Sequence, residues 1–269
     1  MTREPGHALL AVHAHPDDES LWTGGLLARY AARGRATAVV TCTNGELADG
    51  TSAAAPGTRV GELAEALGVL GVAESSVLPY RDSGHLGAGR GSLCAAPFDE
   101  LVTRLVERIR ALRPAAVVTY DAAGISGHPD HVRVHRAVLA AVEAAANRYV
   151  EPEAGPAWAA PSLWLATIAE SRLRAAAGPP SDAVSDTTAP PSLPCTPDER
   201  IAAVVDVRPW LDVKWAAVRA HASEFARGGR VTAFEDARLR ELFLGTEWYL
   251  FRPGPGAAPA AGPGDLLAP

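Results

Sequence analysis

The sequence predicts an α/β fold: a Rossmann-like, mostly parallel sheet with helices on both faces, followed by a smaller C-terminal α+β extension. Up to residue 150, short apolar segments rich in β-branched residues alternate with segments of helical period. Such alternation favours parallel strands connected by helices that cover the sheet. The 269 residues suffice for one large domain with a small appendage.

The first predicted strand, helix and second strand lie close to the N-terminus. Residues 8–14 form a short apolar run that is typical of a buried strand. In the helix predicted over 16–34, Pro16 suits the first helical position and Gly34 suits the stop. Residues 36–43 are rich in β-branched side chains, which favours a second strand.

The same alternation continues to residue 146. Residues 59–70 have the apolar period of a helix, and a short strand is predicted at 75–79. An amphipathic helix over 97–112 precedes a Val-rich strand at 115–120, and an Ala-rich helix follows at 129–146.

Composition divides the chain into four predicted segments. These are a catalytic domain (1–174), a flexible Pro-rich loop (175–197), a C-terminal extension that completes the substrate site (198–252) and a disordered tail (253–269). The loop and the tail are rich in Pro, Ala and Gly or Ser and contain few large apolar residues. Within the second half we predict strands at 162–168, 201–207 and 246–252 and a helix at 210–225.

Charge and composition exclude several classes of protein. The net charge of -6 argues against nucleic-acid binding, which needs a basic face. No apolar run approaches the ~18 residues of a membrane span, and the first residues do not resemble a signal peptide. The three cysteines show neither a disulfide framework nor a metal-ligand spacing. We therefore expect a cytoplasmic protein that does not bind nucleic acid or membrane.

The first unusual motif is His15-Pro16-Asp17-Asp18-Glu19, directly after the first predicted strand. Acidic residues at a helix N-terminus are favoured by the helix dipole, whatever the function. That explanation does not account for a histidine with two adjacent aspartates. In the first helical turn Asp17 and Asp18 point in different directions, so that one could bind a metal while the other faces the substrate.

The second motif is Gly127-His128-Pro129-Asp130-His131, after the strand at 115–120. His128 and His131 are three residues apart at a helix start and therefore share a face. Two histidines and a carboxylate form the ligand set of a catalytic zinc site with an open position, and the same set serves non-haem iron. The alternative is a pair of surface histidines. Because sites in such sheets lie beyond the carboxyl ends of strands, the two motifs together indicate one metal site.

These motifs resemble the LmbE-like, or PIG-L, family of zinc de-N-acetylases. The resemblance covers about residues 8–252, with a gap at 175–197. It is greatest to the mycothiol branch, which contains the N-acetylglucosaminyl-inositol deacetylase and the mycothiol S-conjugate amidase. Less specific similarities to that branch lie at 40–46, 59–63, 80–84, 112–114 and 214–221.

The resemblance implies a role for each matching residue. It implies a Zn²⁺ ion, with Fe²⁺ or Co²⁺ as alternatives, held by His15, Asp18 and His131. It implies that Asp17 is the general base and that His128 stabilises the oxyanion and protonates the leaving amine. Asp130 would hold His128 in position, a role that commonly tunes metal sites. Arg59 and Asp82 would contact the sugar.

The implied function is hydrolysis of an N-acetyl amide on an amino-sugar conjugate, with N-acetylglucosaminyl-inositol as the lead substrate. Alternatives within the same chemistry are a mycothiol S-conjugate amidase and a deacetylase of an N-acetylated glycoside in antibiotic biosynthesis. A nucleotide-binding module is a distant alternative, since it needs a glycine-rich loop where this chain has carboxylates. The expected partner is a small glycoside, and the sequence predicts no oligomeric state.

Two residues depart from the branch that the chain resembles. His85 follows Asp-Ser-Gly where the branch has an apolar residue, and we expect it to face the substrate. Ser126 stands two residues before His128, where the branch has a tyrosine that donates to the oxyanion. A serine hydroxyl cannot reach as far as a phenol, so the oxyanion would depend on the metal and His128. The smaller side chain also predicts a wider mouth that admits a bulkier glycoside.

Overall fold

A computed structural model describes residues 6–47, 57–85, 89–177, 193–228, 230–256 and 265–267. Its seven strands are β1 (His7–His13), β2 (Thr37–Thr43), β3 (Glu74–Tyr80), β4 (Pro114–Tyr120), β5 (Ser162–Thr167), β6 (Ala203–Asp206) and β7 (Thr246–Pro253). They form one sheet in the order β3-β2-β1-β4-β5-β7-β6. The first five strands are parallel, and β7 runs antiparallel to both of its neighbours.

Helices cover both faces of this sheet. They are α1 (Asp18–Trp22), α2 (Gly24–Ala32), α3 (Thr58–Leu70), α4 (Phe98–Leu112), α5 (Gly124–Gly127), α6 (Pro129–Ala146), α7 (Glu170–Ala177), α8 (Leu211–Ala220), α9 (Ala222–Ala226) and α10 (Ala237–Leu244). One group of packed helices is α2, α3 and α8, and another is α4 and α6. The predicted fold class is therefore confirmed, and the C-terminal extension adds the two antiparallel strands to the same sheet.

Each predicted strand is present, with ends within one or two residues of the prediction, but two predicted helices are divided. The helix predicted over 16–34 breaks at Thr23, whose hydroxyl donates to the carbonyl oxygen of Glu19 (3.0 Å) and lies 2.9 Å from His13 Nε2. The helix predicted over 210–225 breaks at His221. The short helices α5, α7 and α10 were not predicted. They are shorter than the sequence windows in which the apolar period of a helix can be recognised.

The centre of the sheet forms the core that positions the site. In β1, Leu9 to Val12 are completely buried, and every residue of β2 is buried. Because a strand covered on both faces has no solvent side, its sequence is apolar throughout instead of alternating. This explains why the apolar runs predicted these strands well.

A buried ion pair attaches the extension to the N-terminal half. Lys214 Nζ in α8 is 2.7 Å from Glu247 Oε1 in β7, and neither side chain is more than 3% exposed. The Glu247 carboxylate also accepts from the backbone N–H groups of Gly25 (2.8 Å) and Leu26 (3.1 Å), at the start of α2. Carboxylates complement the positive end of a helix dipole. The extension is thus fixed against the same helices that flank the first motif.

The tail differs from its prediction. Pro253 is the last residue of β7, and the N–H of Gly254 donates to the carbonyl oxygen of Pro161 (3.1 Å). The Asp265 carboxylate accepts from Tyr30 Oη (2.6 Å), and Leu266 is 1% exposed. The prediction of a disordered tail from residue 253 therefore does not hold for 253–256 and 265–267. Apolar packing by two leucines was not visible in a tail composed mainly of Pro, Gly and Ala.

Only the ends of the predicted flexible loop lie within the described residues. Ala175 to Ala177 close helix α7, so they are not loop. Thr196 donates its backbone N–H to the carbonyl oxygen of Ile168 (2.8 Å). Residues 178–192 lie outside the described part of the chain. Among the described residues, no helix is both long enough and apolar enough to cross a membrane.

Candidate active site

The two sequence motifs meet at one edge of the sheet. His15 follows β1, and His131 lies in the first turn of α6, which follows β4. Because β1 and β4 are parallel neighbours, both motifs emerge at their carboxyl ends. His15 Nδ1 is 3.1 Å from His131 Nε2, and Asp18 Oδ2 is 3.5 Å from the first nitrogen and 3.4 Å from the second. Three potential metal-ligand atoms therefore face one another in buried side chains.

Hydrogen bonds on the far side of each imidazole determine which nitrogen is free. His131 Nδ1 is 3.1 Å from the carbonyl oxygen of Gly124, so it must carry the ring proton. His15 Nε2 is 3.2 Å from Asp130 Oδ2 and 3.4 Å from Asp82 Oδ1, so it also donates. In the neutral form of both rings, the nitrogen nearest Asp18 is therefore the one that could bind a metal ion. Hydrogen bonds of this kind commonly orient metal-binding histidines.

The Asp18 carboxylate is held by three donors. Tyr120 Oη (2.7 Å) and the backbone N–H of His15 (2.9 Å) donate to Oδ2, and Trp22 Nε1 donates to Oδ1 (3.2 Å). The Tyr120 ring is also stacked on His131, with centroids 4.2 Å apart. Burial opposes ionisation, but His131 and His15 hold the pKa of Asp18 well below its ordinary value. Sequence reasoning missed Tyr120, although its place at the end of the strand before the second motif was visible.

The donor atoms of this cluster fit a divalent transition-metal ion. Ligands at about 2.0–2.1 Å from a tetrahedral zinc ion lie roughly 3.3 Å from one another, and the three separations here are 3.1, 3.4 and 3.5 Å. Two further combinations bring ligand atoms within 4.8 Å of one another: the first is His15, His128 and His131, and the second is His15, Asp82, His128 and Asp130. The described residues thus offer overlapping ligand sets, whose nitrogen and oxygen donors suit zinc, iron or cobalt alike.

Asp17 lies beside the cluster in a strained backbone conformation. Its φ of 111° belongs to the left-handed region that favours glycine, and such strain costs about 1–3 kcal/mol in other residues. Arg59 Nη2 donates to the Asp17 carboxylate (2.8 Å), and Glu19 accepts from the Asp17 N–H (2.9 Å). Burial raises the pKa of Asp17 to about 7, although Arg59 opposes the shift. A carboxyl group with this pKa can take up and release a proton near neutral pH.

His128 presents an N–H group to the cavity. Its Nδ1 accepts from the backbone N–H of Asp130 (3.2 Å), so the proton of the neutral ring is on Nε2. Burial and the neighbouring imidazoles of His15 and His131 lower the pKa of His128 to about 3. The neutral ring can donate a hydrogen bond from Nε2 without carrying a charge.

Asp130 contacts two histidines in different ways. Its backbone N–H donates to His128 Nδ1, whereas its carboxylate faces His15 Nε2 at 3.2 Å. The same carboxylate accepts from the N–H of Ser83 (2.8 Å) and from Cys94 Sγ (3.1 Å). A motif indicates which residues are near each other, but it does not say whether the backbone or the side chain makes a contact.

The four residues expected to contact substrate all line one cavity: Arg59, Asp82, His85 and Ser126. They differ in how many protein partners they already bind. The guanidinium of Arg59 donates to the carbonyl oxygens of Gly45 (2.7 Å) and Pro16 (2.5 Å) as well as to Asp17. Asp82 accepts from the N–H of Gly84 (2.8 Å) and faces His15. Both side chains are therefore largely committed to protein partners.

His85 and Ser126 are less constrained. His85 is exposed and packs its ring edge against His128, with centroids 4.6 Å apart. Ser126 is partly exposed and lies in α5, next to Ile125. Ile125 has a φ of 60°, an uncommon conformation for a β-branched residue. These two positions are the ones at which the chain departs from the branch that it resembles.

Two buried residues of the C-terminal extension, His221 and Glu224, reach the first motif and the arginine beside it. His221, at the junction of α8 and α9, places Nε2 2.8 Å from Glu19 Oε1, and both side chains are buried. Glu224 Oε1 is 3.1 Å from Arg59 Nη2. Since Glu19 and Arg59 both hold Asp17, the extension supports that residue from two sides. Glu224 was missed because no local pattern relates it to Arg59.

The cavity of about 320 Å³ at this edge is lined by polar and apolar residues in equal number. The polar residues are those described above, which we call the polar floor: His15, Asp17, Asp18, Arg59, Asp82, His85, Ser126, His128, His131 and Glu224. We call the other residues the apolar wall: Leu21, Trp22, Leu47, Ile125, Ile168, Leu193, Val231, Phe234, Phe243 and Leu244. Sequence reasoning did not identify the wall.

Comparison with known sequences identifies a matching family and a similar protein. The sequence profile of the PIG-L family, described as GlcNAc-PI de-N-acetylase, matches residues 10–142 and so includes both motifs. A protein of Salinispora arenicola named 1D-myo-inositol 2-acetamido-2-deoxy-alpha-D-glucopyranoside deacetylase is 38% identical, over 100% of this chain and 93% of its own length.

Solved structures share the architecture. A conserved protein of Thermus thermophilus has a TM-score of 0.60 and 28% identity, covering 94% of both chains. The N,N'-diacetylchitobiose deacetylase of Pyrococcus horikoshii has a TM-score of 0.64 and 19% identity, covering 93% of this chain and 84% of its own. The likeness to the Pyrococcus horikoshii enzyme shows a shared fold, whereas the relative at 38% identity matches this chain over 93% of its own length. The chain therefore belongs to the PIG-L family of GlcNAc-PI de-N-acetylases.

Proposed function

We propose that this protein hydrolyses the N-acetyl amide of an amino-sugar conjugate and releases acetate and a free amine. The observation that carries the proposal is the convergence of two imidazole lone pairs and the Asp18 carboxylate beside Asp17. The activity for which the Salinispora arenicola relative is named supports N-acetylglucosaminyl-inositol as the lead substrate.

The proposed metal ligands are His15 Nδ1, Asp18 Oδ2 and His131 Nε2. We prefer this set because hydrogen bonds already fix the proton of each imidazole on its other nitrogen. A zinc ion, when bound there, polarises the amide carbonyl and lowers the pKa of a water ligand to about 7. Iron or cobalt could supply the same chemistry with the same donors.

Asp17 is the proposed general base. Its raised pKa of about 7 lets the carboxylate accept a proton from the attacking water and later release it to the leaving nitrogen. Arg59 and the Glu19 carboxylate hold it in place. A side-chain amide cannot accept this proton. Asp17→Asn should therefore keep the shape of the site and lose the proton transfer from water.

His128 is the proposed donor to the oxyanion. Its Nε2–H is available because Nδ1 already accepts from Asp130 N–H. Donors of this kind contribute about 10²–10³-fold to rate. The low pKa of about 3 keeps the ring neutral, so that His128 donates this hydrogen bond while Asp17 returns the proton to the leaving nitrogen. Ser126 would contribute at most a weak hydrogen bond.

The C-terminal extension, proposed to complete the substrate site, contributes to it in two ways. His221 and Glu224 support the residues that hold Asp17. Val231, Phe234 and Leu244 belong to the apolar wall. Within the extension, His221 and Glu224 are therefore assigned to support of the general base, and Val231, Phe234 and Leu244 to the lining of the substrate cavity.

The test is turnover of N-acetylglucosaminyl-inositol by the purified full-length chain, with acetate and free amine measured together. We expect equal amounts of both, loss of activity on chelation and recovery with Zn²⁺. Asp17→Asn is the matched variant, because it should retain the metal and not turn over. Release of a mercapturic acid from a mycothiol conjugate, without acetate from any glycoside, would instead identify an amidase. Full activity in metal-free protein would contradict the proposed site.

A further inference from the structure

The turn that precedes the second motif is held by a buried carboxylate that the proposed mechanism does not use. We propose that Asp121 is a positioning residue: it fixes the turn at 124–126, and this turn sets the orientation of the His131 ring and thereby the affinity for metal. The inference rests on the proposed function, because His131 is a metal ligand in that function.

Asp121 binds the turn through its backbone and its side chain. It follows β4 directly and is 5% exposed. Its Oδ1 accepts from the backbone N–H groups of Ala123 and Ile125, both at 3.0 Å. Its carbonyl oxygen accepts from the N–H of Gly124 (3.0 Å), and its Oδ2 accepts from Thr167 Oγ1 at the end of β5 (2.6 Å). One aspartate therefore joins the turn to the ends of two neighbouring strands.

The turn that Asp121 holds has a strained backbone. Gly124 has a φ of 63°, and Ile125 follows it with a φ of 60° and a ψ of -48°. Glycine adopts such a φ without cost, but a β-branched residue rarely does, and the strain costs it about 1–3 kcal/mol. Without the Asp121 carboxylate, the Ile125 N–H would lose its acceptor in a buried position. We therefore expect the turn to relax when this carboxylate is removed.

The turn packs directly on His131. The Gly124 carbonyl oxygen is 3.1 Å from His131 Nδ1, and this hydrogen bond keeps the ring proton on the nitrogen away from Asp18. The approach is so close that a Cβ on Gly124 would lie 2.7 Å from the Cβ of His131 and 2.9 Å from the backbone nitrogen of Val132. Because there is no space between turn and ring, relaxation of the turn would displace the acceptor of the ring proton.

Two threonine hydroxyls complete the environment of Asp121. Thr167 Oγ1 lies 2.7 Å from Thr196 Oγ1, and both side chains are buried. Since Thr167 donates its proton to Asp121, the Thr196 hydroxyl must donate to Thr167. An asparagine at 121 could keep the contacts of Oδ1 with the turn, because the two hydroxyls can reverse and accept from its amide group. Asparagine and alanine at this position therefore distinguish support of the turn from the charge of the side chain.

The experiment measures Zn²⁺ affinity by competition with a chelator and the tautomer of His131 by ¹⁵N NMR of the metal-free, full-length protein. Asp121→Ala should lower the affinity by about tenfold and convert His131 from the Nδ1–H tautomer to a mixture. Asp121→Asn should resemble the wild type in both respects. Asp265→Ala is the matched control, since Asp265 also accepts from a hydroxyl and a backbone N–H, of Tyr30 and Leu267, but lies outside the cavity lining. It should lower Tm and leave affinity and tautomer unchanged.

Wild-type affinity and a single His131 tautomer in Asp121→Ala would overturn the inference, even if Tm falls. An equal loss of affinity in Asp265→Ala would also overturn it, because the effect would then reflect stability alone. Should Asp121→Ala fail to fold, Asp121→Ser decides: its hydroxyl reproduces such turn contacts only weakly, so the affinity should fall by about threefold, as for one lost hydrogen bond. Release of amine from no N-acetylated glycoside, with these affinities as expected, would contradict the proposed reaction and leave the assignment of Asp121 intact.

Discussion

The polar floor and the apolar wall face the same cavity but are built in opposite ways. Half of the floor comes from two short motifs that follow adjacent parallel strands, so that residues close in sequence are close in space. The wall gathers single side chains from segments throughout the chain, including Trp22 and Phe243. The difference teaches that the candidate metal ligands are encoded by local motifs, whereas the apolar lining of the cavity is encoded by tertiary packing.

The largest effect expected from a residue outside the motifs concerns Tyr120. Its hydroxyl donates to Asp18 and its ring stacks on His131. Tyr120→Phe removes the hydrogen bond but keeps the ring, so we expect metal affinity to fall by about 10–100-fold, as for other residues that orient ligands. A competition titration with a chelator measures this. Unchanged affinity would show that the motifs alone define the floor.

Variants of His221 test whether the C-terminal extension contributes to catalysis. Its bond to Glu19 supports the backbone of Asp17. His221→Ala should lower kcat by about tenfold through a small misplacement of that base, with KM and bound metal little changed. His221→Gln, whose amide can still donate to Glu19, should recover most of the rate. If KM changes instead of kcat, the extension acts on substrate binding alone.

Ser126 should matter less than either residue. We expect Ser126→Ala to change turnover by less than about tenfold, as for loss of a weak hydrogen bond. Bulky N-acetylated glycosides should be turned over at least as well as the inositol conjugate, since the small side chain leaves the mouth wide. A hundredfold loss would place Ser126 in the catalytic machinery. Strict preference for the inositol conjugate would contradict the prediction of a wide cavity mouth.

The smallest effect on activity should come from the tail, which affects stability instead. Leu266 and Leu267 are buried, and Asp265 bonds to Tyr30 and Arg33. Ending the chain at residue 264 should cost about 2 kcal/mol of unfolding free energy, or roughly 4–8 °C in Tm. Turnover at 25 °C should be unchanged. A Tm equal to that of the full chain would show that these residues do not pack in solution.

Asp265 gives this stability a pH dependence. Burial opposes ionisation, but Tyr30 and the charges of Arg29 and Arg33 hold the pKa of Asp265 below its ordinary value. A depressed carboxyl pKa contributes stability above the unfolded-state value of about 3.9, and the contribution is lost as the pH falls. The difference in Tm between the full chain and Asp265→Asn should therefore shrink below about pH 4.

The sequence predicted what depends on neighbours along the chain. Buried strands are apolar throughout, so β1 and β2 were recognised from composition. The motifs located His15 and His131 because parallel strands bring their carboxyl ends to one edge. Contacts across the fold escaped prediction: Glu247 capping α2, Tyr120 holding Asp18, and the apolar wall. Each joins residues that no local period relates.

The most direct test of the central claim compares two adjacent carboxylates. Asp17 and Asp18 are neighbours in sequence, but the structure turns Asp17 to Arg59 and Asp18 to the imidazoles of His15 and His131. Metal content and kcat are measured for Asp17→Asn and Asp18→Asn. We predict that Asp17→Asn retains one metal ion and loses about 10²–10⁴-fold in kcat, whereas Asp18→Asn loses the metal. Loss of the metal from Asp17→Asn, with its retention in Asp18→Asn, would contradict the account.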